Sequence, residues 1–183
     1  MGGYAPRAQE DSLRPRRLLG ASGRPLNFTV RRHDSHFTPT DLLMTDPRER
    51  IAASFHAQGL MRTLGATLEL VADGEVHIAL PFSQHLTQQQ NFVHAGAIAS
   101  IVDSACGYAA LTKAPIDKDV VTVEFKINLI RPAIGEKFLA VGRVQSAGRM
   151  LTVCTGEVRA FAASNEAYKV VAVMQSTIAT VSK

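Results

Sequence analysis

The sequence predicts an α+β fold in which one long helix is wrapped by a single curved antiparallel sheet. Three observations predict it. Residues 97–111 are apolar nearly all round, so a helix there must be covered on most sides. Two β-rich runs precede that stretch and four follow it, with no internal repeat. One of the four, VVTVEFKINLI at 120–130, alternates apolar and polar residues with period two.

The chain has 183 residues, enough for one domain with a proper core. Residues 1–43 read as a basic, disordered N-terminal extension, and 44–183 as the folded domain. The extension carries seven arginines against four acidic residues and shows no sustained period. It lacks the apolar core of a secretory signal. Its arginines and serines would suit a transit peptide, while Glu10, Asp11 and Asp34 speak against one. Translation starting at Met44 is the other reading.

Order begins at TDPRERIAASFHAQGL, where Asp46 caps a helix, Pro47 takes its first position and Glu49 completes a capping box. Gln58–Gly59 stops it. GATLELVADGEVHIALPF then reads as two strands joined through Asp73–Gly74. A polar loop, SQHLTQQQN, leads to the long helix. After it, Val121, Val123, Phe125, Ile127 and Leu129 share one strand face, and Thr122, Glu124, Lys126 and Asn128 the other. EKFLAVGRVQSA follows the Arg131–Pro132 and Ile134–Gly135 breakers. Gly148–Arg149 turns the chain into MLTVCTGEVRAFA, and Ser164–Asn165 into YKVVAVMQSTIATV.

Several function classes are disfavoured. The net charge of +4 sits mostly in the first 43 residues, so the folded part is nearly neutral and argues for no nucleic-acid partner. The longest apolar run is too short to span a bilayer. Cys106 and Cys154 have no metal spacing and read as buried reduced thiols of a cytoplasmic protein. His56, His77 and His85 have no partner at ligand spacing, so no metal site is expected.

At 100° per residue the long helix has two faces. Ile98, Ile101, Val102, Ala105 and Ala109 would meet the concave side of the sheet. Gly96, Ala99, Ser100, Asp103, Cys106, Gly107 and Ala110 lie opposite. Small residues admit a second backbone, most naturally another copy of the chain. Asp103 would line that seam, two turns beyond the free N–H groups at about Ala95 to Ala97. The bland alternative is an aspartate that bonds a neighbouring hydroxyl. His94 likewise reads as a residue that fixes the turn, and Cys106 lacks an activating histidine.

His94-Ala95-Gly96 followed at two turns by Asp103, together with TVEFKINLIRPA at 122–133, resembles the hotdog-fold thioesterases of the phenylacetate-degradation (PaaI-like) type. The resemblance covers about residues 47–180 and implies a homodimer, or a dimer of dimers, that hydrolyses an acyl-CoA thioester. It implies an oxyanion hole at the N–H groups of Ala95 and Gly96. Asp103 of the other subunit would act as nucleophile or as general base. Gln88 and Thr122 would place the nucleophile or water, and His94 belongs to the same turn. Ala95 stands where a glycine is common. Coenzyme A would be part of the substrate, so no separate cofactor is expected. Its phosphates would need basic contacts, for which Arg131 and Arg149 are the candidates. The rival readings are an acyl thioester hydratase or dehydratase, and a non-catalytic acyl-CoA binding module.

Overall fold

The computed structural model describes residues 46–163 and 167–183. The expected extension and the Ser164–Asn165 turn lie outside these residues. Elements follow in the order α1 (Pro47–Ala57), α2 (Gly59–Leu64), β1 (Thr67–Ala72), β2 (Glu75–Pro81), α3 (Ala95–Leu111), β3 (Lys118–Leu129), β4 (Lys137–Ala147), β5 (Leu151–Phe161) and β6 (Tyr168–Ser182). The six strands form one antiparallel sheet in the order β1-β2-β4-β5-β6-β3. The predicted architecture of a central helix and a wrapping sheet holds.

Asp46 caps α1 as its chemistry requires: its Oδ1 accepts the Arg48 N–H at 2.8 Å, and Pro47 fills the first turn. Gln58 ends α1 in an extended conformation. The chain then forms α2, a short helix the sequence reading did not expect, closed by Gly65 at φ 69°. Gly74 supplies the left-handed residue of the β1–β2 turn (φ 75°).

The sheet carries α3 on a glycine saddle. Gly142 of β4 and Gly156 of β5 are register partners. A Cβ on Gly142 would stand 2.4 Å from the Ala105 carbonyl carbon, and one on Gly156 would stand 2.5 Å from the Val102 Cγ2. Helix and sheet therefore touch backbone to backbone here, as only glycine allows. Ile98, Ile101, Val102, Ala105 and Ala109 are buried against the sheet, as the helical angles predict. Cys106 and Ala110 are buried too. Cys106 leaves the small-residue face expected for it, because its Sγ lies against Gly156 of β5. The outer face of the sheet is charged: Arg143 grips Glu75 at 2.9 and 3.0 Å, and Arg159 grips Glu157.

The regular alternation expected of β3 breaks at one residue. Thr122 pairs with Ile178 and Glu124 with Thr177, which leaves Val123 as a bulge. Parity flips there. Thr122 shares the helix-facing side with Phe125, Ile127 and Leu129, whose register partners Ser176, Met174 and Ala172 are all buried. Thr122 does not share a face with Glu124 and Lys126, as strict alternation had it. As a sheet edge, β3 leaves Val123, Phe125 and Leu129 57%, 45% and 51% exposed.

Candidate active site

The entrance to α3 is built by the loop before it. Gln88 donates its N–H to the Phe92 carbonyl at 2.8 Å, Asn91 takes a left-handed conformation (φ 64°), and Thr87 bridges Val93. Val93 N–H is held by the Ala133 carbonyl at 3.1 Å and His94 N–H by Leu86 at 2.7 Å. These ties fix where the helix begins.

His94 is the N-cap. Its Nδ1 accepts the Gly96 N–H at 2.9 Å, so Nδ1 carries no proton and a neutral ring bears its hydrogen on Nε2. The Ala97 N–H returns to the His94 carbonyl at 3.0 Å. Of the three N–H groups that the sequence left free, only that of Ala95 has no hydrogen-bond partner among the described residues. Ala95 is exposed, and its donor points out of the positive end of a 17-residue helix.

Two turns on, Asp103 sits partly buried in a stripe with Ala99, Ser100 and Gly107. Its Oδ1 accepts the Thr122 hydroxyl at 2.8 Å. The bulge at Val123 makes this contact possible by keeping Thr122 on the helix side. Burial pushes the Asp103 carboxyl above the ordinary aspartate range, and the Thr122 hydrogen bond only partly opposes that.

The structure gathers Gln88, His94, Ala95 and Arg131 around one groove of about 580 Å³, whose other walls include Phe92, Ile98, Leu129 and Ile130. Gln88 is engaged with its own loop, accepting from Gln90 N–H and donating to the Gln90 side chain. Arg131 donates to the Val170 carbonyl at 2.7 Å and stays exposed. Asp103 and Thr122 line a separate cavity. Eight residues of helix divide Asp103 from Ala95, about 12 Å at 1.5 Å each, too far for one carbonyl carbon to meet both within a single chain. Arg149 lies in the β4–β5 turn, at the opposite end of the sheet from Arg131.

The far wall of the Asp103 cavity is built from residues that no motif in the sequence marks. Ser54 of α1 and Gln58, which ends that helix, face Ser104 and Tyr108 of α3 there, with Asp119 beside them. Ser54 and Gln58 are four residues apart and so share one side of α1, which is the only signal the sequence carries. The thiols of Cys106 and Cys154 are buried, and burial pushes them up to about 12 and about 11. Neither is a nucleophile near neutrality.

Known proteins share the fold and parts of the sequence. A model of the thioesterase superfamily matches residues 90–162, the stretch that holds the helix entrance, Asp103 and Thr122. A Halobacterium salinarum protein named "Putative esterase" is 34% identical over 84 residues, which is 43% of this chain and 55% of that protein. The chain thus spans little more than half the length of that relative. A similarly named protein of Saccharolobus solfataricus is 30% identical over 111 residues, 60% of this chain and 79% of that one. Among solved structures, a thioesterase family protein from Silicibacter pomeroyi is 37% identical with a TM-score of 0.73, covering 75% of this chain and 100% of its own. The Escherichia coli PaaI protein from the phenylacetic acid degradation operon shares the fold: TM-score 0.65, 18% identity, 74% of this chain and 93% of that one covered. Matched to relatives along most or all of their length at 30% identity or more, and folded as a central helix in a curved antiparallel sheet, the chain belongs to the hotdog-fold thioesterase superfamily.

Proposed function

We propose that this protein hydrolyses an acyl- or aryl-acyl-CoA thioester to the free acid and coenzyme A. The observation that carries the reading is the Asp103 carboxylate, desolvated in a stripe of small residues with one oxygen occupied by Thr122. Such a group is a base suited to neutral pH. The Ala95 N–H would receive the thioester oxygen as it gains charge. Asp103 would come from a second subunit, which the length of helix between the two groups supports. In that arrangement Asp103 takes a proton from a water that attacks the carbonyl carbon, and Thr122 holds the carboxylate in place. Gln88 and His94 serve as positioning residues, His94 through its cap on Gly96.

The apolar edge of β3 supports a homodimer, since a strand with one open edge and exposed Val123, Phe125 and Leu129 invites a partner. The groove beside Ala95, walled by Phe92, Ile98, Leu129 and Ile130, suits the acyl group. Arg131 at its mouth suits a phosphate of coenzyme A, which enters as part of the substrate. Arg149 would serve only across subunits. No helix among the described residues is long and apolar enough to cross a membrane, and two buried free thiols suit the cytoplasm as the proposed setting.

The test is thiol release from phenylacetyl-, benzoyl- and straight-chain acyl-CoAs, with Asp103→Asn beside the wild type. Turnover is expected to fall by about 10²–10⁴ in the variant while the fold stays intact. A wild type inactive across the panel, or a variant with full activity, overturns the reading.

A further inference from the structure

We propose that the small polar cavity behind Asp103 holds the water that hydrolysis consumes, with Gln58 and Tyr108 as the residues that position it. This deepens the thioesterase reading and rests on it. The cavity measures about 240 Å³, and Asp103 shares its wall with Ser54, Gln58, Ser104, Tyr108 and Asp119. That space takes several waters at roughly 30 Å³ each.

Its lining suits water and suits little else. Ser54 Oγ and Tyr108 Oη lie 3.3 Å apart, and the Ser104 hydroxyl donates to Gln58 Oε1 at 3.5 Å. Gln58 also reaches the Tyr108 phenol, which burial keeps protonated and so able to donate. An alkyl chain here would strip water from two carboxylates and lie against a wall of amide and hydroxyl groups. The apolar groove beside Ala95 offers such a chain a better place. Thr122 engages Oδ1 of Asp103, and Oδ2 has no partner among the described residues. It is the oxygen left for a water arriving from the cavity.

Each turnover uses one water. Its oxygen bonds to the carbonyl carbon as one proton passes to Asp103. The C–S bond then breaks, and that proton goes to the departing thiolate, giving acid and free thiol. With substrate in the groove, a reserve on the far side of Asp103 supplies the attacking molecule without substrate leaving.

Gly107 makes the idea testable. It lines the cavity, and a Cβ there meets no atom within 4 Å, so Gly107→Leu puts a side chain into the water space. Gln58→Leu and Tyr108→Phe remove polar walls by an independent route. Steady-state kinetics on the best acyl-CoA of the panel should show kcat lowered about tenfold, with KM unchanged. The acid limb of the kcat/KM profile should move to higher pH, because Asp103 loses hydration in a cavity whose other carboxylate, Asp119, stays in place. Unchanged kinetics in the folded variants overturn the proposal. So does an altered acyl preference with the limb unmoved, which would make the cavity an acyl pocket. Asp103→Asn run alongside separates the two levels. If it keeps full turnover, the thioesterase reading falls. If it is inactive while Gln58→Leu and Tyr108→Phe match wild type, only the water proposal falls.

Discussion

Asp103 should reveal itself in stability as well as in turnover. Burial raises its pKa, so the folded chain keeps its proton to higher pH than the unfolded chain does. The group favours folding below the ordinary aspartate range, and that contribution is lost as pH rises through the raised value. Asp103→Asn removes the titration. The variant should therefore gain stability over wild type near neutrality and lose that gain towards acid. Urea unfolding at about pH 7 and about pH 4 checks this, and an equal difference at both would contradict it. At this scale the sequence was informative about the carboxylate and its turn, because a charge inside a small apolar helix stands out. It was silent on which N–H stays free. That depends on the His94 ring folding back onto Gly96, a rotamer no residue pattern records. Tyr108 and Gln58 were equally hidden, because their meeting depends on how α1 docks across α3.

Among the elements, the glycines beneath α3 and the one within it have different surroundings, and their alanine variants should differ accordingly. Gly142→Ala drives a Cβ into the backbone of Ala105 and Cys106, which has nowhere to go, and should cost at least about 2 kcal/mol. Gly156→Ala meets the Val102 and Cys106 side chains, which can shift, and should cost less. Gly107→Ala meets nothing and relieves a helix interior of glycine, so a gain of about 0.5–1 kcal/mol is expected. Denaturant midpoints of the three variants give the order directly. Helix and strand existence was legible from period, caps and turns. The α2 helix was not, being six residues that start at Gly59 and stop at Gly65, with no period to show. The β3 bulge escaped for a deeper reason. VVTVEFKINLI alternates so regularly that the pattern implies one unbroken face, whereas pairing to β6 inserts Val123 and turns Thr122 towards Asp103.

For the whole molecule, the separation of Ala95 from Asp103 makes a sharp demand on the assembly. Ala95→Pro deletes the one free N–H at the first helical position, where proline is tolerated, so activity should fall by about 10²–10³ without loss of fold. Asp103→Asn should be inactive as well. Unfolded together and refolded as a mixture, the two should recover about a quarter of wild-type activity, since each mixed dimer then holds one intact site. A mixture as dead as its parents would mean that both groups act within one chain. The two cysteines bear on the same molecule in another way. Both thiols are sealed where the central helix rests on the glycine saddle, and they are the only two in the chain. An alkylating reagent can reach them only when that helix lifts from the sheet. Their labelling rate is thus a built-in clock for the opening of the core, readable by mass without any added probe.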